Sequence, residues 1–68
     1  MRVAGAVAGF DAERGDGWIQ GDDGVNYYFH CVSIADGSRI IDNGKRVSGK
    51  RSVGRLGRDE LVEVAPRQ

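Results

Sequence analysis

The chain has a single cysteine, a single proline, a single histidine and only five aromatic residues (two Phe, two Tyr, one Trp) among its 68 positions. One cysteine, Cys31, excludes an internal disulfide, and a reducing cytoplasm is the expected location. One histidine, His30, leaves no cluster from which a metal centre is assembled. No apolar run approaches the roughly 20 residues that cross a bilayer. The N-terminus lacks the charged and apolar regions of a secretory leader. Neither membrane association nor a bound cofactor is expected. The length allows one small domain, residues 1–68, with a modest core and no deep cleft for a small-molecule substrate.

Net charge is also absent, but only in sum. Residues 1–37 carry two basic and six acidic side chains, and residues 38–68 carry eight basic and four acidic. The halves therefore stand at −4 and +4. The basic half attracts phosphates, but the neutral whole predicts weaker electrostatic capture than a basic protein achieves.

Glycine is what the chain has in quantity, 11 residues. Abundant glycine with scarce proline suits short strands joined by tight bends. The clearest unit runs from Arg14 to His30. Asp22-Asp23-Gly24 reads as a turn, flanked by strands at 17–20 and 26–31 that are rich in aromatic and β-branched residues. Side chains alternate between the faces of a strand. Ile19, Tyr27 and Phe29 then point inward with Cys31, and Trp18, Tyr28 and His30 point outward. Three flat rings held in water on adjacent strands suit a partner that stacks, and unpaired nucleobases are the natural one.

The remaining segments read as three further strands. Residues 1–10 form the first, with Val3 and Val7 inward and a bulge at Gly9 that resets the phase before Phe10. Ser33 is placed to start a short helical turn. Residues 38–44 form a long loop, with Ile40 or Ile41 plugging the barrel end, and Asn43-Gly44 turns into a fourth strand at 45–53. Residues 60–65 form a fifth, alternating with Leu61 against Val62 and Val64. Five short strands predict an all-β fold, a small five-stranded barrel that is closed or nearly closed, which removes exposed sheet edges.

Several blocks resemble the bacterial cold-shock proteins. Gly5-Ala6-Val7 with Phe10-Asp11 is similar to that family's opening strand. Arg14-Gly15-Asp16-Gly17-Trp18-Ile19 is similar to its first ribonucleoprotein motif, and Tyr27-Tyr28-Phe29-His30 with Ser33-Ile34 to its second. Gly44-Lys45-Arg46-Val47 and Gly54 fall where its fourth strand begins and ends. The resemblance covers nearly the whole chain. It implies an antiparallel OB-fold barrel that binds single-stranded RNA or DNA through stacked bases, often as an RNA chaperone or regulator of transcription or translation. The chain departs from the pattern at Ala8 and Gly9, where the family has a basic residue and a tryptophan. It departs again at Asp16, Cys31 and Ser38, where the family has aromatics. At roughly 1–3 kcal/mol per stacked base, two lost platforms weaken binding by about two orders of magnitude or more. Gly49 and Arg51 replace large apolar residues of the family's fourth strand, which implies a thinner core.

The expected nucleic-acid site is Trp18, Tyr28 and His30 as stacking surface, Phe10 at its edge or in the barrel mouth, and Arg14, Arg39 and Arg55 as phosphate contacts. No nucleophile, base and orienting group come together, so no enzyme is expected. Asp22 and Asp23 sit in a turn without a pocket and are read as turn formers. A competing reading is an OB-fold protein-interaction module that has lost most of its nucleic-acid surface.

Overall fold

The structure is a computed structural model that describes residues 2–35, 37, 40–54 and 57–67. Among these residues five strands occur: β1 (Arg2–Asp11), β2 (Asp16–Gly21), β3 (Asn26–His30), β4 (Arg46–Val53) and β5 (Asp59–Pro66). They close into a barrel in the order β1-β2-β3-β5-β4. Neighbours are antiparallel except at the closure, where Tyr28 of β3 meets Glu60 of β5 in parallel. A ring with an odd number of strands cannot alternate direction all the way round, so one parallel contact is unavoidable.

The interior follows the alternation. Val3, Val7, Ile19, Tyr27, Phe29, Ile34, Val47, Leu61 and Val64 form one buried cluster. Each such side chain, fully buried, contributes about 1.5–3 kcal/mol of transfer free energy. Phe10, Cys31 and Ile41 pack against the cluster from its rim. Ile41 is thus the barrel-end plug, and Ile40 is exposed. Gly24 takes a positive φ of 85° in the β2–β3 turn, as the Asp-Asp-Gly reading requires. The expected bulge in β1 is present: the register against β2 shifts between Val7 and Gly9.

Three expectations need correction. Cys31 does not extend β3. It opens a 3-10 turn, Cys31–Ser33, which therefore begins two residues before Ser33. Leu61 and Val64 are both buried, so β5 does not alternate cleanly. Glu63 lies between them at φ 52°, and the pairing with β4 slips between Ser48 and Lys50. The extra residue on β5 turns Val64 inward. This also answers the thin-core expectation. A Cβ on Gly49 would lie 3.4 Å from Leu61 Cβ and 3.5 Å from Val64 Cγ2, so β5 already fills the space a larger β4 residue would take. Arg51 points outward, with Nη2 3.2 Å from Asp59 Oδ1.

Candidate nucleic-acid interface

The β2–β3 register places the outward rings. Trp18 stands opposite Tyr28, and Asp16 opposite His30. On the other side of β2, Trp18 faces Gly9 and Asp16 faces Asp11 of β1. One cross-strand row therefore runs Gly9, Trp18, Tyr28, Glu60, and the next runs Asp11, Asp16, His30. Trp18 and Tyr28 meet edge to face, centroids 5.7 Å apart at 76°. Trp18 keeps 44% of its surface exposed, large for a tryptophan in so small a barrel.

Around this pair the side chains make a hydrogen-bonded network. The Tyr28 hydroxyl donates to Asp16 Oδ2 at 2.8 Å. The same oxygen accepts from Arg14 Nη2 at 3.2 Å. The bond to Asp16 raises the Tyr28 phenol above its ordinary value, with burial and the charge of Asp16 adding to it. The Arg58 guanidinium lies over the Tyr28 ring, 4.0 Å from its centroid. His30 is exposed, but its Nδ1 accepts from the Val32 amide at 3.3 Å and caps the 3-10 turn. A ring that accepts at Nδ1 has Nε2 as its remaining donor.

Of the residues expected from sequence, Trp18, Tyr28 and His30 share the outer face, with Arg14 at its margin. Phe10 is on the other side. It pairs with Gly17, whose face is interior, and stacks on Phe29 with centroids 5.7 Å apart at 16°. Its ring packs against the core cluster rather than beside the outward rings. Arg39 and Arg55 lie outside the described residues. Two side chains outside the set of site residues expected from sequence lie at this face. Arg58 covers Tyr28, a placement set by the fold of the loop before β5. Asn26 shares the outer face of β3 with Tyr28 and lines, with Ala8, Gly9 and Trp18, an open concavity of about 370 Å³. Strand alternation alone would have found Asn26, two residues before Tyr28.

Electrostatically the face is mixed. Asp11, Asp16 and Glu60 belong to the two ring-bearing rows. Arg14 pairs with Asp16, and on other surfaces Arg46 pairs with Asp22 and Arg51 with Asp59. Among the described residues no group of His, Cys, Asp and Glu is arranged to hold a metal, and no helix is long and apolar enough to cross a membrane.

Architecture and ring-bearing face together define a small OB-fold barrel. The solved structure of Drosophila Unr CSD456 matches the whole chain with a TM-score of 0.83 at 20% identity, and the chain spans 27% of that structure's length. No family model matches. Cold shock protein 2 of Lactiplantibacillus plantarum is 35% identical over 63 residues, 91% of this chain and 94% of the relative. The chain belongs to the cold-shock protein family, as a divergent member. That membership implies nucleic-acid binding in general and a protein that is not an enzyme.

Proposed function

We propose that the protein binds unpaired RNA or DNA in the cytoplasm by stacking bases on Trp18, Tyr28 and His30, as an RNA chaperone or regulator of reduced affinity. The observation that carries this is the adjacent Trp18 and Tyr28 pair on an outer barrel face, with Trp18 44% exposed. A base on that surface removes apolar ring area from water and has a π-face to meet it. Arg14, at the margin, holds the backbone. Phe10 supports the platform from behind through Phe29. Because bound single strand is withdrawn from the hairpin equilibrium, weak hairpins melt without an energy source. Low affinity follows from two features. Asp16 places a negative charge beside the rings, where it accepts one bond from Arg14 and the hydroxyl proton of Tyr28, and Gly9 offers no ring beside Trp18.

The test is titration with oligo-U and oligo-dT at low salt, read by Trp18 fluorescence and amide shifts. Quenching is expected, with Tyr28→Ala weakening binding by about 5- to 150-fold, the equivalent of one lost stack. Unchanged fluorescence and shifts at hundreds of micromolar oligonucleotide overturn the reading. The covering of Tyr28 by Arg58 favours one alternative, a protein-interaction module. Partners retained on the immobilised protein after nuclease treatment would support it.

A further inference from the structure

We propose that the concavity beside Trp18 is a socket for one unpaired purine, adenine above all, whose edge is read by Asn26. This rests on the base-stacking reading and adds selectivity to it at a single position. Trp18 has a ring on one cross-strand side, Tyr28, and no side chain on the other, Gly9. The direction a Cβ would take from Gly9 is open, with nothing within 4 Å. The β1 bulge between Val7 and Gly9 lies at the same place, so the strand contributes only Ala8 and backbone. The resulting hollow of about 370 Å³ is lined by Ala8, Gly9, Trp18 and Asn26.

The chemistry of that lining narrows the occupant. Among the described residues it holds one indole, one methyl group, backbone and one carboxamide, and no charged side chain. A phosphate finds no cation there among the described residues. A flat uncharged ring with hydrogen-bonding groups on its edge satisfies both the indole and the amide. A two-ring purine overlaps the two-ring indole more fully than a pyrimidine does, and stacking grows with the overlap. Adenine presents a donor at N6 beside an acceptor at N7, the pair that an asparagine amide matches with its own oxygen and nitrogen. Guanine presents two acceptors on the corresponding edge and matches the amide only through O6 and N1 of its other edge, whereas adenine matches it on both, through N6 with N7 or N6 with N1. The socket therefore ranks adenine over guanine, and guanine over uracil.

Three RNA pentanucleotides, UUUUU, UUGUU and UUAUU, titrated into the protein at constant salt and read by Trp18 fluorescence, test this. UUAUU is expected to bind about tenfold more tightly than UUUUU, within the range of one specific base contact, with UUGUU between them. Asn26→Ala removes the amide, and Gly9→Leu fills the hollow from an open position. In Gly9→Leu the ratio of UUAUU to UUUUU affinity is expected to fall below twofold, and in Asn26→Ala to fall to the ratio that UUGUU shows over UUUUU in the unmodified protein. Circular dichroism verifies folding, and if one variant fails to fold the other carries the test. Equal affinities for all three oligonucleotides in the unmodified protein overturn the socket while leaving the stacking face standing. So does a tenfold ratio that persists in a folded variant. Failure of all three to bind overturns both.

Discussion

Arg58 and Tyr28 form a cation–π pair in which the guanidinium lies 4.0 Å from the ring centroid. A planar guanidinium competes for the surface on which a base would stack. On the proposed base-stacking reading, part of the platform is therefore occupied by the protein's own side chain, and a base must displace it. An exposed pair of this kind is worth about 0.5–1 kcal/mol. Arg58→Ala is expected to tighten oligo-U binding by about two- to fivefold at 0.5 M salt, where the lost charge is screened. At low salt the gain is smaller, because the missing cation also attracted phosphate. Fluorescence titrations at both salts measure the difference. Weaker binding at both would identify Arg58 as a backbone contact instead of a cover.

Asp16 neutralises Arg14 at the margin of the rings, with Arg14 Nη2 3.2 Å from its carboxylate. Removing that negative charge releases Arg14 toward phosphate. Asp16→Asn keeps an oxygen to accept from the Tyr28 hydroxyl, so the ring stays placed. One additional phosphate contact steepens the dependence of log affinity on log salt by about 0.7 for a single strand. The variant is expected to bind more tightly at low salt and to show that steeper slope between 25 and 200 mM (roughly the range in which such slopes are read). An unchanged slope would mean that Arg14 takes no part.

The ring-bearing hairpin was legible because two local signals agree: strict alternation around Trp18, Tyr27, Tyr28 and Phe29, and a turn with glycine at Gly24, where φ is 85°. The bulge before Phe10 was legible from Gly9 and the broken phase. The fifth strand was not. Its inward Leu61 and Val64 depend on Glu63 at φ 52°, and glutamate carries no sequence signal for that region. Nor was the cover on Tyr28 legible, since Arg58 reaches it only after β5 has closed against β3. Local pattern specifies faces, but long-range closure decides which charges land on them.

Gly17 and Gly9 provide a contrast in stability. A Cβ on Gly17 would run into the Gly9 carbonyl oxygen, lie 3.0 Å from Phe10 Cα and 3.1 Å from Phe29 Cε1. The absent side chain is what lets Phe10 stack on Phe29. Gly17→Ala is expected to destabilise the barrel by about 1–3 kcal/mol, the usual range for overpacking. For a domain of this size that lowers Tm by roughly 4–8 °C per kcal/mol. Gly9→Ala meets open space and is expected to leave Tm within a degree or two (about 0.3 kcal/mol at most). Thermal melts followed by circular dichroism compare the two. Equal losses would refute the packing account of Gly17.

One hydrogen bond sets limits on stability at both ends of the pH scale. The Tyr27 hydroxyl donates to Asp23 Oδ2 at 2.6 Å, and the Val25 amide donates to Asp23 Oδ1 at 2.9 Å. Both hold the Asp23 carboxylate below its ordinary value of 3.8, Tyr27 contributing most. Asp22 is lowered in the same sense, first by its hydrogen bond from Arg46. The same bond from Tyr27 raises its phenol above the ordinary 10.0. A carboxylate lowered in the folded state stabilises above its unfolded value, and that share is lost as pH falls below 3.8 toward the folded value. A phenol raised in the folded state stabilises below its unfolded value, and that share is lost as pH rises above 10.0 toward the folded value. Urea midpoints are therefore expected to hold a plateau between these limits and to fall on either side. Tyr27→Phe removes the hydroxyl at both ends at once. Its midpoint is expected to be lower on the plateau and to fall less steeply both below 3.8 and above 10.0, with the remaining alkaline fall carried by Tyr28. Limbs as steep as those of the unmodified protein would show that the Tyr27–Asp23 bond is not what couples folding to protons.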